Sequence, residues 1–203
     1  KLSLSLLMIT KNGVAKRVNA EAFHDVRRSG LIAITLQEGD ELKAVSFCAP
    51  DDEAIIATSK GQSIRFKEDD IRVMGRGAAG VRAIKLGKGD SVVGADVIKK
   101  DAKNPAFLVV SQNGYGKKTD LGEYKTQNRG GSGIKTMKVT SKTGDIIASK
   151  VITETEEEIV AISKKSQVIR VDAKEIPSLG RQTQGVRIMK LREGDSLVSL
   201  ICL

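Results

Sequence analysis

The chain has 203 residues, with 34 Lys and Arg against 25 Asp and Glu, and its formal charge of +9 makes an anionic partner the first expectation. No apolar run approaches the roughly 18 residues of a membrane span and no secretory segment opens the sequence, so a soluble, cytoplasmic protein is expected. One histidine, His24, and two cysteines in no ligand spacing, Cys48 and Cys202, argue against a zinc site, a His-based triad and a disulfide framework.

In chain order the elements repeat. Residues 1–52 hold an apolar run, a tight turn at Asn12-Gly13 and a basic strand (LLMITKNGVAKRV), then a loop closing on Gly30, the run LIAITL, a Gly39-Asp40 turn and the strand ELKAVSF. Residues 53–104 follow the same grammar with AIIATSKGQSIRF, the loop GRGAAG closing on Gly80, VRAIKL, Gly89-Asp90 and SVVGADV. Residues 105–156 give FLVVSQNGYGKKT, QNRGGSG closing on Gly133, IKTMKV, Gly144-Asp145 and IIASKVI. Residues 157–203 give IVAISKKSQVIRV, GRQTQG closing on Gly185, VRIMKL, Gly194-Asp195 and SLVSLIC. The loop-closing glycines are spaced by 50, 53 and 52 residues.

Each unit therefore predicts about four short strands joined by turns, and no segment sustains a helical period. Units of about 50 residues with four strands cannot bury their faces alone. An all-β pinwheel or propeller-like array of four four-stranded blades follows, with a pair of β-sandwiches as the competing architecture. The sequence starts on LSLSLLMIT and stops inside SLVSLICL, as a domain of a longer polypeptide would.

The charge is unevenly placed: the four units carry net charges of zero, +4, +3 and +2. In the last three, the run after the loop glycine has cations at its second and fifth places: Arg82 and Lys85, Lys135 and Lys138, Arg187 and Lys190. The first unit has Ile32 and Thr35 there. A spacing of three puts side chains on opposite faces of a flat strand, so these pairs share a side only if the strand is kinked. Further cations follow the first turn (Lys16, Arg17, Arg65, Lys67, Lys117, Lys118, Arg170) or sit in the loops (Arg27, Arg28, Arg76, Arg129, Arg181). On a ring of blades, equivalent positions fall on one rim and form a stripe. Such a stripe suits the phosphates of duplex DNA. Single strands fit less well, because aromatic residues, needed for stacking, are only 3% of the chain.

Other signals carry less. GRGAAG matches G-x-G-x-x-G, but no helix is predicted after it, so a dinucleotide site is not expected. The acidic stretches at Asp51-Asp52-Glu53, Asp69-Asp70 and residues 154–158 read as solvated linkers, Tyr115 and Tyr124 as surface or packing residues, and the cysteines as core. Without a catalytic constellation, a metal site or a cofactor motif, the chain reads as a binding module and not as an enzyme.

The segments QNGYGKKT, RVMGRGAAGVRAIKLGKGD and GRQTQGVRIMKLREGD closely resemble the C-terminal domain of the DNA gyrase A family, and the resemblance covers essentially the whole chain. It implies a β-pinwheel, normally six-bladed, with DNA wrapped around its basic outer rim, the four units here being the last four. It also implies a non-catalytic part of an ATP-dependent type II topoisomerase that supports negative supercoiling. The implied partners are duplex DNA, the remainder of the gyrase A polypeptide and, through it, gyrase B in a heterotetramer near the nucleoid. The family's hallmark loop reads Gln, Arg or Lys, Arg, Gly, Gly, Arg or Lys, Gly, and belongs to the first blade. QNRGGSG keeps Gln127, Arg129, Gly130, Gly131 and Gly133 but has Asn128 and Ser132 at the other two places, so it is expected to be an echo of that loop, touching DNA through Arg129 and backbone N–H groups. The alternatives are the related domain of topoisomerase IV, gripping transported DNA without strong chiral wrapping, and a protein-binding propeller of the chromosome-condensation-regulator type.

Overall fold

In the computed structural model of the protein, which describes residues 4–26, 28–154 and 158–203, every repeat begins with an antiparallel hairpin. The four hairpins are β1 (Ser5–Thr10) with β2 (Val14–Asn19), β4 (Glu53–Thr58) with β5 (Gln62–Lys67), β8 (Ala106–Ser111) with β9 (Tyr115–Asp120), and β12 (Glu158–Ser163) with β13 (Val168–Asp172). The last strand of each repeat returns beside the first: β3 (Leu42–Cys48), β7 (Val92–Ile98), β11 (Ile146–Ile152) and β15 (Leu197–Cys202). The Gly-Asp signals lie at turns as expected, and in the first, second and fourth repeats the aspartate side chain also ties the turn to the hairpin, whereas Asp145 pairs with Lys60 of the preceding repeat. Asp90 accepts from Thr58 Oγ1 at 2.7 Å, Ser59 Oγ at 2.9 Å and the Lys60 amide at 3.0 Å.

The runs after the loop glycine depart from a simple four-strand unit. They form strands of only two residues, β6 (Val81–Arg82), β10 (Ile134–Lys135) and β14 (Val186–Arg187), and each joins the sheet of the preceding repeat. The sheets therefore run β3-β1-β2-β6, β7-β4-β5-β10, β11-β8-β9-β14 and, with three strands, β15-β12-β13. The exchange has a local cause. One carbonyl accepts two successive amides: Gly13 O takes Ala83 N at 2.8 Å and Ile84 N at 3.3 Å, and Gly114 O takes Ile188 N at 3.0 Å and Met189 N at 3.1 Å. The ladder ends there and the chain bends inward. Ala83 and Ile84 are buried, while Arg82 and Lys85 on either side of them are exposed.

Alternation along the first strands places an apolar layer between each pair of sheets. Leu7 and Ile9 meet Ile56, Ile64 and Phe66; Ile55 and Ala57 meet Phe107, Val109 and Tyr124; Leu108 and Val110 meet Ile159, Ala161 and Met189. Phe66 and Phe107 have no exposed surface, and burying each contributes about 2–3 kcal/mol. Tyr124 packs edge-on against Phe107, with centroids 5.5 Å apart, and its hydroxyl lies 2.6 Å from Thr136 Oγ1. The sheets radiate from a cavity of about 440 Å³ lined by all four returning strands, through Ala44, Gly94, Ala148 and Ser199 among others.

Among the described residues the only helical segments are four short 3-10 turns, Ala20–Phe23, Glu68–Asp70, Leu121–Glu123 and Ala173–Glu175, and no helix is long and apolar enough to cross a membrane. The linker reading of the acidic stretches needs correction at two places. Asp52 is buried, caps the Ala49 amide at 2.8 Å and pairs with Lys99 at 2.9 Å, while Glu53 pairs with Arg65. Residues 155–157 of the third stretch lie outside the described residues.

Candidate nucleic-acid interface

Because the exchanged strand is the outermost of its sheet, whatever it displays stands on the rim. Arg82, Lys85, Lys135, Lys138, Arg187 and Lys190 are all exposed, and each pair flanks two residues turned inward by the shared carbonyl. The loop of the next repeat holds this segment from the other side, since Lys85 N donates to Gly131 O at 2.8 Å and Lys138 N to Thr183 O at 3.0 Å. The side chains extend from a backbone fixed on both edges.

The loop arginines serve that backbone. Arg129 Nε donates to Asp70 O at 2.8 Å and its Nη1 to Arg82 O at 3.0 Å, while Gly130 N donates to Ala83 O at 2.6 Å. Arg181 Nη1 likewise donates to Lys135 O at 3.0 Å, and its guanidinium lies over the Tyr124 ring, 6.0 Å from the centroid. QNRGGSG therefore spends Arg129 and the Gly130 amide on the protein itself, and Gln127 N on Arg65 O at 2.7 Å. It braces the rim; its half-buried Arg129 is not displayed as a free phosphate contact. Gly131 is exposed beside it, Gly133 closes the turn, and Arg76 is half-buried at the matching place in the second repeat.

Cations after the first turn point between blades. Arg17 pairs with Glu68 at 3.1 Å, Arg65 Nη1 donates to Leu121 O at 2.8 Å and Tyr124 O at 3.2 Å, and Lys118 Nζ donates to Ala173 O at 2.8 Å. Each reaches the 3-10 turn of the following repeat. Lys16 and Lys117 are fully buried: Lys16 Nζ donates to Ala33 O at 2.9 Å and to Arg76 O, and Lys117 Nζ to Arg181 O at 2.8 Å and to Gly180 O. The surface role expected for these two is thus corrected, because a backbone-bonded ammonium under the loop has no path to a phosphate. Lys67, Arg170 and Arg28 are exposed, and Arg27 lies outside the described residues.

Burial pushes the Lys117 ammonium down to about 8 from 10.5, whereas neighbouring Glu123 favours its charged form. Between these values the folded chain has shed a proton that the unfolded chain keeps. Stability relative to Lys117→Ile is therefore expected to rise with pH across this window, by on the order of 1–2 kcal/mol, in urea unfolding at about pH 7.5 and about pH 10. A flat difference would show that the ammonium is not buried in solution.

Sequence reasoning missed three rim cations. Lys60 and Lys88 join Lys85 around a hollow of about 300 Å³ that includes Ser132. Lys142 and Arg187 each lie 5.5 Å from the Tyr115 ring centroid, and Arg187 Nη2 donates to Tyr115 Oη at 3.2 Å. Their turn positions, SKGQ, GKGD and SKTGD, offered the one available signal: cations in the hairpin turn or in the Gly-Asp turn of a repeat.

Radial blades that pass their outermost strand to the preceding sheet define a β-pinwheel repeat domain. The chain belongs to the DNA gyrase C-terminal domain family, whose model, described as "DNA gyrase C-terminal domain, beta-propeller", matches residues 5–49, 52–99, 106–153 and 157–203. It is similar to the DNA gyrase A proteins of Lawsonia intracellularis (42% identical, 95% of this chain and 23% of that one) and of Mycolicibacterium smegmatis (36%, covering 96% and 23%). It thus spans less than a quarter of the length of these curated relatives. A solved DNA gyrase A C-terminal domain superposes with a TM-score of 0.86 at 30% identity, covering 100% of this chain and 66% of that one. The C-terminal domain of DNA topoisomerase IV shares the fold, with a TM-score of 0.91 at 23% identity over 100% of this chain and 62% of that one.

Proposed function

We propose that the chain binds duplex DNA along its outer rim and bends it from blade to blade, as part of a gyrase A polypeptide in an enzyme whose ATP-driven reaction introduces negative supercoils. The observation that carries this reading is the threefold recurrence, running on from the outermost strand, of an exposed cation, two residues turned inward and an exposed cation, the inner pair being buried in the second and third repeats and Ile188 half-buried beside buried Met189 in the fourth. Such a stripe neutralises successive phosphates without reading bases. The first repeat, with Ile32 and Thr35 at these places and no net charge, contributes least. The remainder of gyrase A and, through it, gyrase B are the implied partners, and the chain supplies no catalytic group in this scheme.

Titrating a labelled duplex at several salt concentrations tests the reading. If about eight phosphates are neutralised, log affinity falls against log salt with a slope of about −7. A flat response favours the protein-binding propeller and sinks the DNA assignment. The departures at Asn128 and Ser132 keep a topoisomerase IV-like grip as a second reading. Ligating a nicked circle in the presence of the protein separates the two, because wrapping leaves a signed linking change and gripping leaves little.

A further inference from the structure

The four repeats place a cation at one position of the second hairpin strand: Arg17, Arg65, Lys118 and Arg170, which face Leu7, Ile55, Leu108 and Val160. Three of them meet a carboxylate. Arg17 pairs with Glu68, Arg65 with Glu53 and Arg170 with Glu158. Lys118 meets none among the described residues: its Nζ donates to Ala173 O at 2.8 Å, and an ammonium carries two further donors.

Comparison of the second and third repeats gives the reason. Glu53 faces Lys67 and Ile98, and Ala106 faces Asp120 and Ile152, so alanine stands in the third repeat where the second has glutamate. In the second repeat the Glu53 carboxylate is held from two sides, by Arg65 Nε at 2.8 Å and by Thr126 Oγ1 of the following repeat at 2.7 Å. Both donors have counterparts in the next junction, because Lys118 bridges to Ser178 as Arg65 bridges to Thr126. Only the acceptor is cut back. A second truncation accompanies it. Arg65 Nη1 reaches Leu121 O and Lys118 Nζ reaches Ala173 O, so the receiving 3-10 turn starts with leucine at one junction and alanine at the other, both buried.

The loss of a propionate side chain and of an isobutyl group at neighbouring places accounts for a hollow of about 330 Å³ between the third and fourth repeats. Pro105, Ala106, Ile152 and Ala173 give it an apolar lining, and Lys118 and Ser178 supply donors. Two carboxylates also line it, but both are engaged: Asp120 accepts from the Gly122 amide at 2.6 Å and Glu154 from Asn104 Nδ2 at 2.6 Å, with Lys174 beside them to offset their charge. We infer that this hollow binds a small aliphatic monocarboxylate, whose carboxylate takes the place of Glu53 between Lys118 and Ser178 and whose apolar tail covers Ala106 and Ala173. The tail matters, because a partly solvated ion pair alone contributes little and apolar burial must add to it. The site lies at the far end of β9 from Tyr115 and Gly116, where β14 docks, and is thus separate from the rim cations.

Isovalerate, an isobutyl group on a carboxylate, is the probe. Titration at constant ionic strength is followed by amide NMR shifts and by urea unfolding, neither of which depends on DNA. With a Kd of about 5 mM, about 100 mM isovalerate lowers the unfolding equilibrium constant about 20-fold, and the shifts centre on Lys118, Ala173 and Ser178. Isoamyl alcohol keeps the tail and drops the charge, and it is expected to bind about tenfold more weakly. Lys118→Met should weaken isovalerate by about tenfold, and Ala106→Glu, which supplies the carboxylate from the chain itself, should abolish the response in a protein that still melts cooperatively. No response in the parent chain, equal binding of the alcohol, or an undiminished response in either variant overturns the assignment.

Discussion

Replacing Arg82, Lys85, Arg187 and Lys190 together by alanine is expected to lower affinity for duplex DNA by about 100-fold at moderate salt and to reduce the salt slope by about 3 to 4. All four side chains are exposed, and none carries the packing of its segment, which rests on Ala83, Ile84 and Met189. Stability should therefore change by no more than about 1 kcal/mol, the loss coming from the Arg187 contact with Tyr115. Anisotropy titrations at several salt concentrations, with urea unfolding alongside, measure both quantities. Unchanged affinity at unchanged stability would place the DNA on another surface of the blades. The same substitution at Arg129 should act differently: with Asp70 O and Arg82 O deprived of their donor, the rim backbone loosens, and both stability and affinity fall.

Gly133→Ala is expected to destabilise the chain by about 3–4 kcal/mol, whereas Gly30→Ala should cost only about 1 kcal/mol. The two glycines share a left-handed backbone, with φ of +71° and +77°. They differ in surroundings. A Cβ on Gly133 overlaps the Ser63 carbonyl of the acceptor strand, but one on Gly30 meets nothing within 4 Å. The contrast isolates the close approach from the conformational cost. Because Gly133 seats β10, its replacement should also displace Lys135 and Lys138, so that DNA affinity falls along with the unfolding midpoint. Equal losses at the two positions would mean that docking of β10 onto β5 adds little to stability.

The repeat grammar was legible because its punctuation is chemical: turn glycines, Gly-Asp pairs and alternating apolar strands recur at nearly fixed intervals. The exchange of strands was not legible, since a two-residue strand such as Val81–Arg82 has no period and its partner is chosen by the turn carbonyl of the previous unit. The kink left open by the spacing of Arg82 and Lys85 has the same origin. Cations were harder to sort, because Lys117 and Lys135 look alike as letters, although one is buried under a loop and the other stands on the rim. A clue did exist. The place of Lys16 and Lys117 is filled by Ile64 and Ile169 in the other two repeats, and a position that alternates lysine with isoleucine is one that faces inward.

The exchanged strand puts the unit of sequence and the unit of architecture out of phase. The second sheet is complete only over residues 53–135, so a segment cut at residue 104 lacks its outer edge. A repeat that is duplicated or transplanted thus leaves its own scaffold without a rim and carries a rim that must be seated by whatever precedes it. Lys135 is encoded with the third repeat yet held by Gln62 of the second. The surface chemistry of each blade is inherited from its downstream neighbour.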